Sequence, residues 1–301
     1  MKTSQKPQDV MDKSLKKYLA LAFIPAWVLF LSPLVGDKIL PGSGQRIALI
    51  AWGLAMWMPG AGALLAVSGT DHSPLKKLNL HRLGEKRYYF WAWLIPLILV
   101  VITGVLTWVF KLGAFDRELP LIQAMIKQLP EGSGISPRTL LVVQLAASLT
   151  LAPLFNTLFA LGEELGWRGY LLPKLLPLGE KKALVISGVV WGAWHAPVIL
   201  QGHNYPQNPR LGAGMMVVFT LLLGIFLGWL YLKTESPWAP ALAHGTINAV
   251  ASLPLLFLDQ VNITWGGTLA SAVGWIPLLA LALILYGIGE MPAGKKEERF
   301  T

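Results

Sequence analysis

The stretch Gly162–Tyr170 reads Gly-Glu-Glu-Leu-Gly-Trp-Arg-Gly-Tyr and places Glu163, Glu164 and Arg168 directly after the apolar run Leu140–Leu161. Each charge at the centre of a bilayer costs about 2.5–3.5 kcal/mol on insertion scales, so such residues are by default functional candidates. On a helix, Glu164 and Arg168 are four residues apart and share a face. Glu163 is turned away from Glu164 by about 100°. We therefore expect an ion pair between Glu164 and Arg168, and we expect Glu163 to be free to face a cavity.

The composition around this stretch is typical of a polytopic membrane protein. Of the 301 residues, 54% are hydrophobic and only 14% are charged, whereas soluble domains carry about 25% charged residues. The chain has no Cys, which excludes disulfides, thiolate metal ligands and a Cys nucleophile. The net charge of +9 comes from Lys and Arg in short segments between apolar runs, as in membrane topology. We expect an all-α protein that contacts the lipid bilayer and no nucleic acid.

Eight apolar runs are long enough to cross a hydrocarbon core of about 30 Å, which predicts a bundle of about eight transmembrane helices. We expect one integral-membrane domain over residues 1–301, with cytoplasmic tails at residues 1–17 and 290–301. With both termini cytoplasmic, 18 of the 25 Lys and Arg residues lie on the cytoplasmic side. The eight runs are Tyr18–Val35, Ile47–Val67, Tyr88–Phe110, Leu140–Leu172, Ala183–Leu200, Leu211–Leu232, Pro237–Leu258 and Leu269–Gly289.

The fourth run, Leu140–Leu172, is too long for one straight span, because about 33 residues at ~1.5 Å each reach about 50 Å. Pro153 predicts a kink in this run, with the alternative that its first turns stand outside the membrane. In the longest loop of the opposite side, we expect Leu119–Leu129 to form a short interfacial helix.

Two further runs carry polar side chains in apolar sequence. The fifth contains Trp191 and His195, and the seventh contains His244 and Asn248; each pair is four residues apart and shares a helix face. Counted at about 1.5 Å per residue from the cytoplasmic ends, these side chains and Glu163 lie within one or two turns of a common depth. A functional site requires such convergence, but a structural polar network between helices produces it as well.

Two chemistries fit this set of side chains. In the first, a glutamate acts as a general base on a water that one histidine helps to hold, while the second histidine and the asparagine donate hydrogen bonds to a developing oxyanion. In the second, His195, His244 and Glu163 hold a divalent metal such as zinc, which lowers the pKa of a bound water. The sequence contains neither a His-Glu-x-x-His pair nor a Gly-x-Ser-x-Gly signature.

The three polar segments resemble the motifs of the CPBP family of intramembrane proteases, which includes CAAX prenyl proteases of the Rce type and bacterial Abi proteins. The family motifs are Glu-Glu-x-x-x-Arg, an aromatic residue (usually Phe) followed by x-x-x-His, and His-x-x-x-Asn. Trp at the aromatic position is a mild departure from the family pattern. The matching residues here are Glu163, Glu164 and Arg168, then Trp191 and His195, then His244 and Asn248.

The resemblance covers residues 140–250 and implies an eight-helix bundle with a water-accessible cavity that hydrolyses peptide bonds. It implies that Glu163 and His195 activate water and that His244 and Asn248 bind the oxyanion. The family is commonly called metalloprotease, so a divalent metal and a metal-free glutamate mechanism both stay open. The substrate would be a peptide or another membrane protein, and the location would be a bacterial cytoplasmic membrane.

Two other classes of function remain open at this stage. A transporter would also bury ionisable residues near mid-membrane, but it would be expected to show inverted repeats or matching broken spans, which the sequence lacks. A non-catalytic scaffold or immunity protein would keep the fold without needing the complete polar set.

Overall fold

The computed structural model describes residues 13–68, 73–130 and 132–291, so the outer parts of the two predicted tails, residues 1–12 and 292–301, lie outside the described residues. Helices make up most of the described chain. The α-helices are α1 (Lys13–Ile39), α2 (Gly44–Ala55), α3 (Met58–Val67), α4 (Pro74–Lys77), α5 (Arg87–Val109), α6 (Pro120–Ile126), α7 (Pro137–Leu149), α8 (Leu151–Gly166), α9 (Leu172–Leu175), α10 (Glu180–Trp194), α11 (Ala196–Leu200), α12 (Pro209–Thr234), α13 (Trp238–Val250) and α14 (Trp275–Gly287). A π-helical turn covers Trp167–Leu171, 3-10 turns cover Leu176–Leu178 and Leu253–Leu256, and two-residue strands β1 (Ala114–Phe115) and β2 (Leu258–Asp259) pair antiparallel.

The all-α membrane class is confirmed, while the count of eight spans is not. Among the described residues, four helical segments are long and apolar enough to cross a membrane: α1, α2 with α3, α5 and α12. A bent pair, α7 with the segment Leu151–Leu178, makes a fifth if it is counted as one span. The other predicted spans form the shorter helices α10, α13 and α14, of 15, 13 and 13 residues.

The fourth predicted span is bent, as the proline in it predicted. Helix α7 and the segment that begins at Leu151 meet at 44°, with Thr150 outside helical geometry at φ −124° and ψ −76°. Pro153 has no N–H to offer the Leu149 carbonyl four residues earlier. The indole N–H of Trp93 in α5 donates to that carbonyl instead, at 2.9 Å. Of the helix predicted over Leu119–Leu129, the part Pro120–Ile126 forms as α6.

Glycines let the helices that carry the polar motifs approach closely. A Cβ on Gly245 of α13 would lie 2.5 Å from the backbone nitrogen of Thr157 in α8. A Cβ on Gly192 of α10 would lie 2.5 Å from the Cα of Val217 in α12. Small residues at such positions are the usual basis of close helix packing in membranes. Gly245 therefore lets α13 pack directly on α8, and Gly192 lets α10 pack directly on α12.

Contacts between loops occur at both ends of α5. Before α5, Arg82 forms an ion pair with Glu235 at the end of α12. At the same end, Lys233 Nζ lies 2.7 Å from Glu290 Oε2, beyond α14. After α5, β1 pairs with β2, which follows α13. Each of these contacts joins segments that the predicted topology places on the same side of the membrane, while the orientation itself stays a prediction.

Candidate active site

Five of the six predicted catalytic residues come together where α8, the π-helical turn, α10 and α13 meet. Glu163 and Glu164 lie in the last turn of α8, and Arg168 lies in the π-helical turn. His195 caps the C-terminus of α10, and His244 lies in the middle of α13. The sixth residue, Asn248, is exposed one turn after His244, and no hydrogen bond joins it to the other five within the described chain.

Glu164 is the meeting point of the first and third motifs. Its Oε1 accepts hydrogen bonds from Arg168 Nη1 and from His244 Nδ1, both at 2.9 Å. The predicted ion pair between Glu164 and Arg168 is therefore confirmed, and its side chains are 0% and 2% exposed. Glu164 Oε2 is buried and has no hydrogen-bond partner within the described residues. A buried carboxylate needs such partners, because removing one from a buried pair typically costs about 3–5 kcal/mol.

Glu163 faces a different set of partners, as the helix geometry predicted, but it is not free. Its Oε2 accepts hydrogen bonds from the indole N–H groups of Trp191, at 2.7 Å, and Trp167, at 3.3 Å. The side chain is buried, with 2% exposure. This corrects the expectation of an unattached carboxylate: two donors fix one oxygen, and no hydrogen bond to Oε1 occurs within the described chain.

The expectation that Glu163 faces a cavity is not supported by its burial, and Glu163 lines neither of two cavities found elsewhere in the described chain. One, of about 490 Å³, lies beside Trp108 and Lys111. The other, of about 410 Å³, is an apolar groove between α5, α7 and the segment after α13. No motif residue lines either cavity. In this conformation, the described side chains around Glu163 are packed rather than open.

The backbone at the end of α10 orients His195. The His195 N–H bonds the Gly192 carbonyl, three residues earlier, at 3.1 Å. The Trp191 carbonyl is therefore available to the imidazole, and His195 Nδ1 lies 2.9 Å from it. Because a carbonyl only accepts, Nδ1 carries the proton, and in the neutral ring Nε2 is the acceptor. His195 is half-buried, so the side chain that carries Nε2 is still partly accessible from outside the protein.

The π-helical turn was not predicted. The Leu172 N–H bonds the Trp167 carbonyl, five residues earlier, which widens the helix immediately after the two carboxylates. Turns of this kind often occur at functional sites. The turn carries Arg168, whose guanidinium lies 4.4 Å from the centre of the Trp191 ring. Trp167 was missed as well, although its spacing of four residues from Glu163 places both side chains on one helix face.

The zinc alternative has little support from the arrangement of donors. Among the described residues, no group of three His, Asp or Glu side chains is placed to hold a metal ion. The observed bonds occupy Glu163 Oε2 and the Nδ1 atoms of His195 and His244. They do not themselves count against a metal, because a metal-bound histidine usually makes such an Nδ1 bond to a carbonyl or carboxylate. It is the placement of the three side chains that does not form a ready ligand set in this conformation.

Comparisons with known proteins agree with the motif resemblance. Residues 140–250 match the sequence model of the Rce1-like family, described as Type II CAAX prenyl endopeptidase Rce1-like. The chain is also 31% identical over 130 residues to CAAX prenyl protease 2 of Methanococcus maripaludis. The aligned region is 41% of this chain and 45% of the relative. The chain thus spans about half the length of the curated relative it matches. Both matches are partial, and through residues 140–250 the chain is similar to the Rce1-type family whose motifs it resembles.

Proposed function

We propose that this chain is an intramembrane endopeptidase that hydrolyses a peptide bond in a peptide or membrane-protein substrate, with Glu163 as the general base. The observation that carries the proposal is the meeting of two carboxylates, an arginine and a histidine in one buried cluster, to which the half-buried His195 is joined through Trp191. Each ionisable side chain buried in apolar sequence costs free energy. Holding helices together would require fewer ionisable side chains than this cluster contains. The family match supports the same reaction class.

In the proposed first step, Glu163 and His195 activate a water. Glu163 Oε2 is fixed by two indoles, so Oε1 is the oxygen that takes the proton. His195, with its proton on Nδ1, presents Nε2 as a hydrogen-bond acceptor that holds the water. The water oxygen attacks the peptide carbonyl carbon as its proton passes to Glu163. The resulting tetrahedral intermediate carries the negative charge on the former carbonyl oxygen.

The second step needs donors for that oxygen and a proton for the leaving nitrogen. With Nδ1 engaged by Glu164, His244 donates from Nε2 when the imidazole carries both protons, and the neighbouring carboxylate stabilises this cationic form. Asn248, one turn further along α13, would supply a second donor from the exposed side. When the C–N bond breaks, Glu163 returns the proton to the amine and is regenerated.

In this scheme, Arg168 and Glu164 support the reacting groups. Arg168 balances the charge of Glu164, and Glu164 accepts from His244 Nδ1 and so fixes the orientation of the imidazole. The scheme routes no step through a metal. We also propose that the chain lies in a bacterial cytoplasmic membrane with both termini on the cytoplasmic side.

The test is hydrolysis of a membrane-tethered peptide by the purified protein, with Glu163→Gln as the key variant. Loss of the base should lower kcat by about 10²–10⁴-fold, the range for general-base catalysis. Glu118→Gln, at an exposed loop position, is the matched control and should retain full activity. Metal content and chelator sensitivity are measured on the same sample.

Full turnover by Glu163→Gln would refute the proposed mechanism. Stoichiometric zinc in the wild-type protein that is lost in His195→Ala, together with reversible inactivation by a chelator, would replace the metal-free scheme by the zinc alternative.

A further inference from the structure

We infer that Trp191 is a positioning residue, whose indole N–H holds the Glu163 carboxylate in the orientation from which it accepts the proton of water. This inference rests on the proposed function and adds a residue to its machinery. The family motif asks only for an aromatic side chain at this position, usually Phe, and Phe has no N–H. The donor is therefore a property of this chain rather than of the motif.

Trp191, which belongs to the second motif, contacts residues of all three motifs. Its indole N–H donates to Glu163 Oε2 at 2.7 Å, and its carbonyl accepts from His195 Nδ1 at 2.9 Å. Its ring lies 4.4 Å from the Arg168 guanidinium and 5.3 Å, edge to face, from the His244 ring. The side chain is 2% exposed. Four motif residues thus take part of their placement from one tryptophan.

The bond to Glu163 is the contact that bears on catalysis. A hydrogen bond to a carboxylate is shorter and stronger than one between neutral groups, and the 2.7 Å separation is in this short range. The second donor, Trp167, lies further away, at 3.3 Å, so Trp191 makes the larger contribution. Fixing Oε2 also fixes where Oε1 points, and a misplacement of about 1 Å at a reacting group can cost about 10²-fold in rate.

The chain supplies a matched control three residues away on α10. Trp194 is 1% exposed, and its indole N–H donates to the Ala22 carbonyl in α1 at 3.0 Å. Trp191→Phe and Trp194→Phe each remove one buried indole donor and keep an aromatic ring. They should lower the thermal stability in detergent by similar amounts. The Trp194 ring also lies 4.8 Å, edge to face, from the His195 ring, and Phe keeps an aromatic ring for that contact. Only Trp191→Phe removes a donor from a motif carboxylate.

Two measurements test the inference. In the ¹H–¹⁵N spectrum of indole-labelled protein in detergent, the Trp191 indole resonance, assigned from its loss in Trp191→Phe, should move in Glu163→Gln, while the Trp194 resonance stays in place. In the hydrolysis assay, Trp191→Phe should lower kcat by about 10- to 100-fold with KM within about twofold of wild type. Trp194→Phe should keep kcat within about threefold of wild type.

The outcomes separate this inference from the proposed function. If the wild-type protein hydrolyses the peptide but the Trp191 resonance does not move, or Trp191→Phe keeps the kcat of Trp194→Phe, the inference is wrong and the proposed function stands. If the folded wild-type protein does not hydrolyse any membrane-tethered peptide, both are overturned. Equal losses of kcat in the two variants would assign Trp191 a purely structural role.

Discussion

Arg168 is the residue whose removal tests the buried charges most directly. Its guanidinium donates to Glu164 and lies over Trp191, and it is 2% exposed. In Arg168→Ala, Glu164 keeps only the hydrogen bond from His244, so the carboxylate is left under-compensated at a cost of about 3–5 kcal/mol. We expect a clear loss of monodisperse protein in detergent, measured by size-exclusion chromatography.

A double substitution separates this charge effect from lost packing. Glu164→Gln removes the charge and leaves an amide oxygen for His244, and Arg168→Met fills much of the arginine volume. The double variant should recover part of the folded yield that Arg168→Ala loses. If it folds no better than the single variant, the arginine does not serve mainly to neutralise Glu164, and direct contact with substrate becomes the better interpretation.

At the scale of residues, contacts between residues close in the sequence could be predicted, and contacts between distant residues could not. The pair Glu164 and Arg168 follows from a spacing of four on a helix, and the separate environments of Glu163 and Glu164 follow from the turn between adjacent positions. The hydrogen bond between Glu164 and His244 joins residues 80 positions apart. It depends on how α13 packs on α8, which no local pattern encodes. The same is true of the bond from Trp191 to Glu163, across 28 positions.

At the scale of elements, the contact between α8 and α13 decides whether the first and third motifs meet. We expect Gly245→Ala to push these helices apart, because its Cβ would lie 2.5 Å from the Thr157 backbone. Overpacking of this kind costs about 1–3 kcal/mol, and hydrolysis should fall along with thermal stability. Gly214→Ala in α12 is the matched control, since its Cβ would meet no atom within 4 Å. That variant should be neutral or stabilised by up to about 1 kcal/mol. Equal behaviour of the two variants would contradict the close approach of α8 and α13.

The bend near a proline could be predicted from the sequence, but the end of a helix within an apolar run could not. Pro153 predicted the bend, although the break itself lies at Thr150. The seventh run, Pro237–Leu258, yields only α13, because the chain leaves the helix after Val250 and Pro254 lies in a 3-10 turn. Apolar composition is the same for a long helix and for a buried non-helical segment. Hydropathy therefore overestimated the length of this helix.

At the scale of the whole molecule, the distribution of Lys and Arg predicts which loops share a side of the membrane. We expect reporter fusions after Arg87, Arg210 and Thr301 to report cytoplasmic, external and cytoplasmic positions, because positive residues are retained on the cytoplasmic side. Expression of each fusion is checked by immunoblot. An external signal at Thr301 would contradict an even number of spans with both termini inside.

The global architecture could be predicted only to the level of its class. Apolar runs and few charges suffice for an all-α membrane protein, and the structure agrees, with exposed apolar side chains such as Leu49 and Val101 along its long helices. The number of spans depends on whether α10, α13 and α14 cross the bilayer. That is a matter of length and packing rather than of composition.

Two indole donors reach across the boundary of the matched segment. Trp93 of α5 holds the Leu149 carbonyl at the bend, and Trp194 of α10 holds the Ala22 carbonyl of α1. Helices α1 and α5 carry no family motif, yet each is fastened to the segment that does. Residues 140–250 are therefore not an exchangeable module. A chimera that grafts them onto the N-terminal helices of a relative must carry matching carbonyl and indole positions across the seam. We therefore expect the sequences of α1 and α5 to be limited by their contacts with residues 140–250.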